Sequence, residues 1–335
     1  MSKPSERVTL AAIAASAGVS VATVSKVLNG RTDVSPSTRS LVRSLLTEHG
    51  YVRPSSRRHP AETATIVELR LAGELCAYTT EIIKGAIEAG GATGATVVIT
   101  DGKPVAGGGP WQGDAAGRRA VIVLAATLTP AELAALSGSR LPTVVVDPLS
   151  PQGTPMISIG STNFAGGMSA TRHLLALGHR RIAYLGGPAT AASNQARMHG
   201  YRAAMQAAGV PIPAEYVRTA GFRYAGGVEE GAALLDLRPA PTAVFAACDQ
   251  IALGAVHAAR AHGLRVPDDL SVVGFDDTQV ASVTSPPLTT VRQPLRAMGM
   301  VALRTALRLA AGEKVEFHHI ELATELVVRE SSLVA

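Results

Sequence analysis

The stretch 8–30, VTLAAIAASAGVSVATVSKVLNG, constrains this chain more than any other. Thr9 is a good helix N-cap, and Leu10, Ile13, Ala14 and Ala17 follow at a spacing that lines one helical face. Gly18 breaks the pattern, and Ser20 caps a second short helix in which Val24, Val27 and Leu28 return to the same inner side. Two short helices joined by a tight glycine-containing turn describe a helix-turn-helix, whose second helix enters the DNA major groove. Ser20, Thr23, Ser25 and Asn29 offer hydroxyls and an amide to phosphate oxygens, and Lys26 reaches a base edge or a phosphate. Val21 and Ala22, at the start of that helix, present small apolar surfaces to thymine methyls. The competing reading is an alanine-rich hairpin whose hydroxyls only cap helices. It is set aside because the features that follow agree with DNA binding.

Charge is the first of them. Residues 1–58 hold nine Lys/Arg against three Asp/Glu, whereas the remaining 277 hold 22 against 23. The net charge of +5 therefore comes from the first sixth of the chain, the footprint of a small nucleic-acid-binding head on a neutral body. A length of 335 residues suggests two or three units, and 47% hydrophobic residues supply a sizeable core. No run of eighteen apolar residues and no basic-then-apolar leader is found, so a soluble cytoplasmic protein without a membrane partner is expected. Cys76 and Cys248 lie far apart without metal-ligand spacing, which fits a reducing compartment.

Ser35 and Pro36 open a third helix as N-cap and first helical residue, with an apolar stripe of Leu41, Val42, Leu45 and Leu46. Gly50 ends it and Tyr51 closes the small core, so residues 1–52 read as a three-helix headpiece. Residues 53–63, RPSSRRHPAET, read as a linker. Beyond it short β-branched runs alternate with helical segments. Strands are expected at 65–69, 95–99, 120–124, 143–146, 181–185, 243–247, 271–275 and 288–291. Helices are expected at 81–89, 165–177, 196–208, 226–235 and 250–262. Such alternation implies two parallel-sheet α/β units with right-handed crossovers.

The run AxxAGVSxxTVSxVLNG resembles the headpiece of the lactose-repressor/galactose-repressor (LacI/GalR) family of bacterial transcription factors. NFAGG at 163–167, HLLALGHRRIAYLGGP at 173–188, Arg197 with Gly200 and Tyr201, CDQIALGA at 248–255, VPDDLSVVGFDD at 266–277 and SPPLTTVRQP at 285–294 resemble that family's effector core, in matching order and spacing. The resemblance implies an all-α helix-turn-helix headpiece joined to a two-lobed α/β core like that of periplasmic sugar-binding proteins. Lobe 1 is expected to hold about 64–162 and 292–320, and lobe 2 about 163–291 and 321–335. It also implies a hinge helix whose leucine kinks the operator through the minor groove. This chain departs there. No leucine falls between Leu46 and Leu69, and Pro54 and Pro60 limit a helix, leaving Arg53, Arg57 and Arg58 for phosphates or the minor groove.

For the effector, the resemblance carries Asp147 and Asp276 to the ends of strands TVVVD and VVGFD, Arg197 to a hydroxyl-binding arginine and Phe222 to a sugar-stacking aromatic. The set suits a carbohydrate: carboxylates accept from vicinal hydroxyls, a guanidinium donates a fork, and a ring covers an apolar face. Alternatives stay open. Arg197 could be a surface ion-pair partner, Asp276 could cap a turn while Asp277 recognises the ligand, and Phe222 could be core. Cys248 stands where many relatives place a ligand-touching asparagine, and its thiol cannot copy an amide. Asp249 reads as a cap for the helix beginning at Gln250. Trp111, in the loop GGGPWQGD, reads as packing or as a cleft-mouth residue.

Enzyme signatures are missing: no HExxH, GxSxG, dinucleotide fingerprint or phosphate loop occurs, and adjacent His318 and His319 would point to opposite strand faces. The expectation is a non-enzymatic regulator without cofactor or metal. It acts as a homodimer, in the sense of a repressor, on a pseudo-palindromic DNA operator under the control of a small sugar; the alternatives left open are a corepressor or nucleobase ligand, or a DNA-binding protein that takes no ligand.

Overall fold

Gly18, at φ +63°, ends the first helix α1 (Leu10–Ala17). The turn is closed by Val19 N donating to Ala14 O at 3.0 Å and Gly18 N to Ala15 O at 3.2 Å, the Schellman pattern that a left-handed residue permits. The structure, a computed structural model, describes residues 10–28, 34–48, 65–101, 118–124, 141–148 and 156–335. Thr9, Asn29, the linker with Arg57 and Arg58, Tyr51 and Trp111 lie outside the described residues. The chain forms two units, Met1–Glu62 and Thr63–Ala335.

In the first unit α2 (Val21–Leu28) leaves α1 at 99°, within the range of a helix-turn-helix. Ser20 Oγ accepts from Thr23 N at 3.1 Å, and Ser35 Oγ accepts from Thr38 N at 3.2 Å at the start of α3 (Pro36–Glu48). Ile13, Ala14, Ala17, Val24, Val27 and Val42 close the core. Leu41 corrects the expected stripe: it is 48% exposed, because it sits part of a turn away from Val42, which is fully buried and takes the inward position.

The second unit holds two six-stranded sheets. The chain runs β1 (Ile66–Leu71), α4 (Ala77–Thr93), β2 (Thr96–Asp101), β3 (Arg118–Leu124), β4 (Thr143–Val146) and β5 (Ile157–Ser161). It continues through α5 (Asn163–Ala176), β6 (Ile182–Gly186), α6 (Ala192–Ala207), β7 (Val217–Thr219), α7 (Tyr224–Leu235), β8 (Ala243–Ala246), α8 (Asp249–Ala261) and β9 (Ser271–Asp276). It ends with α9 (Gln279–Val283), β10 (Thr289–Arg292), α10 (Leu295–Ala310), β11 (His319–Leu322) and β12 (Glu325–Val327). Lobe 1 has the order β11-β5-β4-β3-β1-β2 and lobe 2 the order β12-β10-β9-β8-β6-β7. All neighbours are parallel except β12, antiparallel to β10. The chain therefore passes between lobes three times, at 161–163, 292–295 and 322–325.

Near-continuous apolar strands such as AVFA and TVVV are what a sheet covered on both faces requires. Helices α4 and α10 cover lobe 1 through Ile82, Ala86, Met298 and Leu303, while Tyr184, Tyr201, Phe245 and Phe275 fill lobe 2. Helices α5 and α6 touch backbone to backbone. A Cβ on Gly167 would lie 2.3 Å from Arg197 O, and one on Gly200 2.2 Å from Phe164 O. Four strands escaped the sequence reading: β5, β7, β11 and β12. They are short or rich in Gly, Ser, His and Glu, and only their partners make them strands.

Candidate functional site

The site is built at the carboxyl ends of parallel strands, where the chain turns sharply. Among the described residues four non-glycine positions have positive φ: Asp147 (46°), Phe222 (56°), Asp276 (114°) and Asp277 (54°). Backbone strain of this kind collects at binding sites, where the surroundings over-determine it. Three of the four are residues the sequence assigned to a ligand.

Arg197 is at the centre. It is 3% exposed, which removes the surface ion-pair reading. Its Nε donates to Asn163 Oδ1 at 2.8 Å and its Nη1 to Ala247 O at 2.6 Å. Nη1 also lies 3.8 Å from Asp276 Oδ1, and the guanidinium carbon sits 3.8 Å from the Phe275 ring centroid. The fork is thus pinned by an amide, a carbonyl and a ring, and it stands 6.0 Å from the Phe222 ring, inside cation–π range. Phe222 is half-buried against Gly187, where a Cβ would meet its ring at 2.3 Å. It packs against the lobe-2 core and also faces Arg197.

Asp276 accepts from Gln293 Nε2 at 2.6 Å. Burial raises its carboxyl above the ordinary range; Arg197 and Gln293 pull it down, and Asp147 pushes it up. Asp147 approaches from lobe 1. The Tyr78 hydroxyl, on the first turn of α4, donates to its Oδ2. Burial raises Asp147 as well, against the lowering effects of Tyr78 and Arg197. The Tyr78 phenol is itself raised, first by burial and then by Asp147 and Asp276. Two carboxylates from opposite lobes therefore feel the field of one guanidinium, with Asp276 at 3.8 Å from it. Asp277 turns away from them, its oxygens taken by Arg292 Nε at 2.7 Å and Arg329 Nη2 at 2.6 Å.

Cys248 precedes α8 as its N-cap and is buried. Its thiol is raised by burial first and by Asp276 second, which keeps it protonated and inert. Asp249 corrects the sequence reading: it does not cap α8 but lies inside it, 1% exposed. Oδ1 accepts from Thr290 Oγ1 at 2.6 Å, and Oδ2 from Thr278 N at 2.8 Å and Thr278 Oγ1 at 3.0 Å. It therefore fixes the turn that follows Asp276. Burial, then the Asp276 charge, raises its carboxyl.

The structure thus brings Asp147, Arg197, Phe222, Cys248 and Asp276 together. It adds Tyr78, Asn163 and Gln293, which sequence reasoning passed over. Asn163 lies in NFAGG and Gln293 in SPPLTTVRQP, where residue type alone gives neither a role; nothing in the sequence singles out Tyr78. On the headpiece, Val21, Ala22 and Lys26 are exposed on α2 beside Ser20, while Thr23 and Ser25 are half-buried. Those residues share one helix face or its edge. Ser35 sits apart on the cap of α3.

Among the described residues no group of three or more His, Cys, Asp or Glu side chains is placed to hold a metal ion. His319 is spent on Ser158 Oγ, 2.8 Å from its Nδ1. No single described helix is long and apolar enough to cross a membrane.

Comparison with known proteins agrees with both units. Residues 9–54 match the family described as bacterial regulatory proteins, lacI family, and residues 171–332 match the periplasmic binding protein-like domain. The chain is 35% identical over 334 residues to the HTH-type transcriptional regulator CelR of Thermobifida fusca, covering 97% of this chain and 98% of that protein. It is 33% identical over 333 residues to the HTH-type transcriptional regulator DegA of Bacillus subtilis, covering 97% and 98%. A structure of a CelR–cellobiose complex superposes with a TM-score of 0.73 at 34% identity, over 97% of this chain and all of that one (100%). The lac repressor dimer bound to operator and the anti-inducer ONPF gives 0.71 at 30% identity, over 98% and 100%. A lacI-type helix-turn-helix, a two-lobed periplasmic-binding-protein-like core and full-length relatives at this identity make the chain a DNA-binding transcriptional regulator of the lacI family.

Proposed function

We propose that this regulator is a repressor that binds a pseudo-palindromic operator as a homodimer and is controlled by a small carbohydrate held between its lobes. The observation that carries the ligand reading is the convergence of Asp147, Arg197 and Asp276 from both lobes, Arg197 and Asp276 buried and Asp147 half-buried, with both aspartates on positive-φ backbone. Two carboxylates accept from hydroxyl pairs, Arg197 donates, and the half-buried Phe222 ring offers an apolar wall for a sugar face. Likeness to the cellobiose-bound CelR supports a glucose disaccharide as the first ligand to try. On the DNA side, Val21, Ala22 and Lys26 face outward for bases, with Ser20, Thr23, Ser25 and Ser35 beside them for phosphates. Thr9, Asn29, Arg57 and Arg58 complete that proposed set. Two recognition helices are needed because one covers only half a site.

The test is fluorescence anisotropy on labelled DNA from the promoter of the protein's own gene, at fixed salt, with cellobiose and other mono- and disaccharides titrated in. Release of specifically bound protein by one sugar supports the reading and names the effector. Tightening makes the sugar a corepressor. Binding no better than to random DNA, with and without every sugar, sinks it.

A further inference from the structure

Three interlobe crossings are laced together by side chains. Thr162 and Thr324 hydroxyls meet at 2.9 Å between the first and third crossings. Arg292 Nη1 lies 3.6 Å from Glu325 Oε2 between the second and third. The link between the first and second is different, because it also reaches the cleft. Ser161 Oγ, fully buried at the end of β5, donates to Gln293 Oε1 at 2.5 Å, and Gln293 Nε2 donates to Asp276 Oδ1 at 2.6 Å. Gln293 is 4% exposed, and its own N–H donates to the Asp276 carbonyl at 3.2 Å. Side chain and backbone therefore grip the same strained residue.

The chemistry of the amide is specific. The group at this position must accept a hydrogen bond from a hydroxyl on one side and donate one to a carboxylate on the other. A carboxamide does both while neutral at any pH, and the reversed amide would set its oxygen against the Asp276 carboxylate. The same Asp276 oxygen lies 3.8 Å from Arg197 Nη1, so hinge amide and cleft guanidinium act on one atom. We propose that Gln293 is the positioning residue that couples the cleft to the lobe hinge, holding the Asp276 carboxylate of lobe 2 to Ser161 of lobe 1. A ligand hydroxyl that engages Asp276 then competes with Gln293 for its charge and is felt at two of the three crossings. This last step rests on the carbohydrate reading; the tether does not.

The test uses the full chain without ligand. Cys76 is exposed and Cys248 buried, so a nitroxide goes on Cys76 in lobe 1 and a second on Gln206→Cys, an exposed position of α6 in lobe 2. Labelled protein is diluted into unlabelled protein and the intrachain distance distribution is read by double electron–electron resonance. The wild-type core is expected to give one narrow distance. Gln293→Leu, which fills the space and can neither donate nor accept, is expected to broaden it or add a second population, and Ser161→Ala to do so more weakly. Gln293→Glu supplies the readout that a packing role would not move. As a carboxylate at pH 8 it repels Asp276, whose carboxyl already feels Arg197, Asp147 and Asp249, and it behaves like leucine. At pH 5, with its own carboxyl and that of Asp276 protonated, the repulsion ends, the pair donates and accepts across the crossing as the amide did, and the narrow distance returns. Distributions that match wild type in all three variants at both pH values overturn the proposal. Calorimetric titration of the wild-type chain with cellobiose and other sugars judges the carbohydrate reading separately, so either can fail alone.

Discussion

Replacing Arg197 by methionine isolates the electrostatics of the cleft, because the thioether keeps most of the stem that packs on Phe275. Two hydrogen bonds are lost, at 2.8 Å to Asn163 and 2.6 Å to Ala247, and their acceptors stay buried. Stranding such acceptors costs about 1–3 kcal/mol each, and breaking a buried ion pair from one side costs about 3–5 kcal/mol in all. A relieved guanidinium desolvation offsets part of this. The net expectation is a loss of about 3–5 kcal/mol at pH 8. The pH dependence follows from Asp276, whose carboxyl burial raises to about 7, from an ordinary value near 4 in the unfolded chain. A carboxyl raised in the fold costs nothing at low pH and costs progressively more as pH climbs from the unfolded value to the folded one. Without Arg197 it rises further, so at pH 5 it is neutral and only the two orphaned acceptors remain, about 2 kcal/mol once the relieved desolvation is set against them. Urea unfolding of the full chain, followed by far-ultraviolet circular dichroism at both pH values, reads the difference. A cost below about 1 kcal/mol, or one equal at pH 5 and pH 8, refutes the reasoning.

His179 donates to Leu333 O and is held 3.0 Å from Thr242 Oγ1, and His173 lies 2.9 Å from Ser332 Oγ. Burial lowers both imidazoles, with His179 lowering His173 further, so their contribution is present above the ordinary histidine range and fades as pH falls through it. Amide protection factors at 331–335, taken against the intrinsic exchange rate at each pH, should fall below about pH 6, while strands β8 and β9 stay protected; protection factors that do not change with pH count against the clasp. Gly200→Ala drives a methyl into Phe164 O, 2.2 Å away, and should cost about 1–3 kcal/mol in thermal melts and weaken ligand affinity by shifting Arg197, one turn earlier. Ser20→Ala removes the oxygen that caps α2 and should lower headpiece stability by about 1 kcal/mol, measurable as earlier melting of the headpiece amide resonances. Lys26→Ala should weaken specific operator binding by about 1–3 kcal/mol in anisotropy, and unchanged affinity speaks against α2 as the reading helix.

The headpiece was legible because local rules decide it. Gly18 must be left-handed, Ser20 and Ser35 must cap, Pro36 must open a helix, and the apolar spacing of 13, 14, 17, 24 and 27 permits one inner face. The alternation of strands and helices was legible for the same reason, and boundaries fell within a few residues wherever a run was continuously apolar. The chemistry of Asp147, Arg197 and Asp276 was also visible in residue type and motif. What the tertiary structure alone decided is which groups those three hold. The Tyr78–Asp147, Asn163–Arg197 and Ser161–Gln293–Asp276 contacts join residues 69, 34 and 132 positions apart, beyond any periodicity. Asp249 looked like a helix cap because a cap is local, yet its carboxylate serves threonines 29 and 41 residues away. Leu41 had the right hydrophobicity, but Val42 had the right angle. Sequence fixes what each segment prefers; only packing two lobes around one guanidinium decides which preferences are overruled.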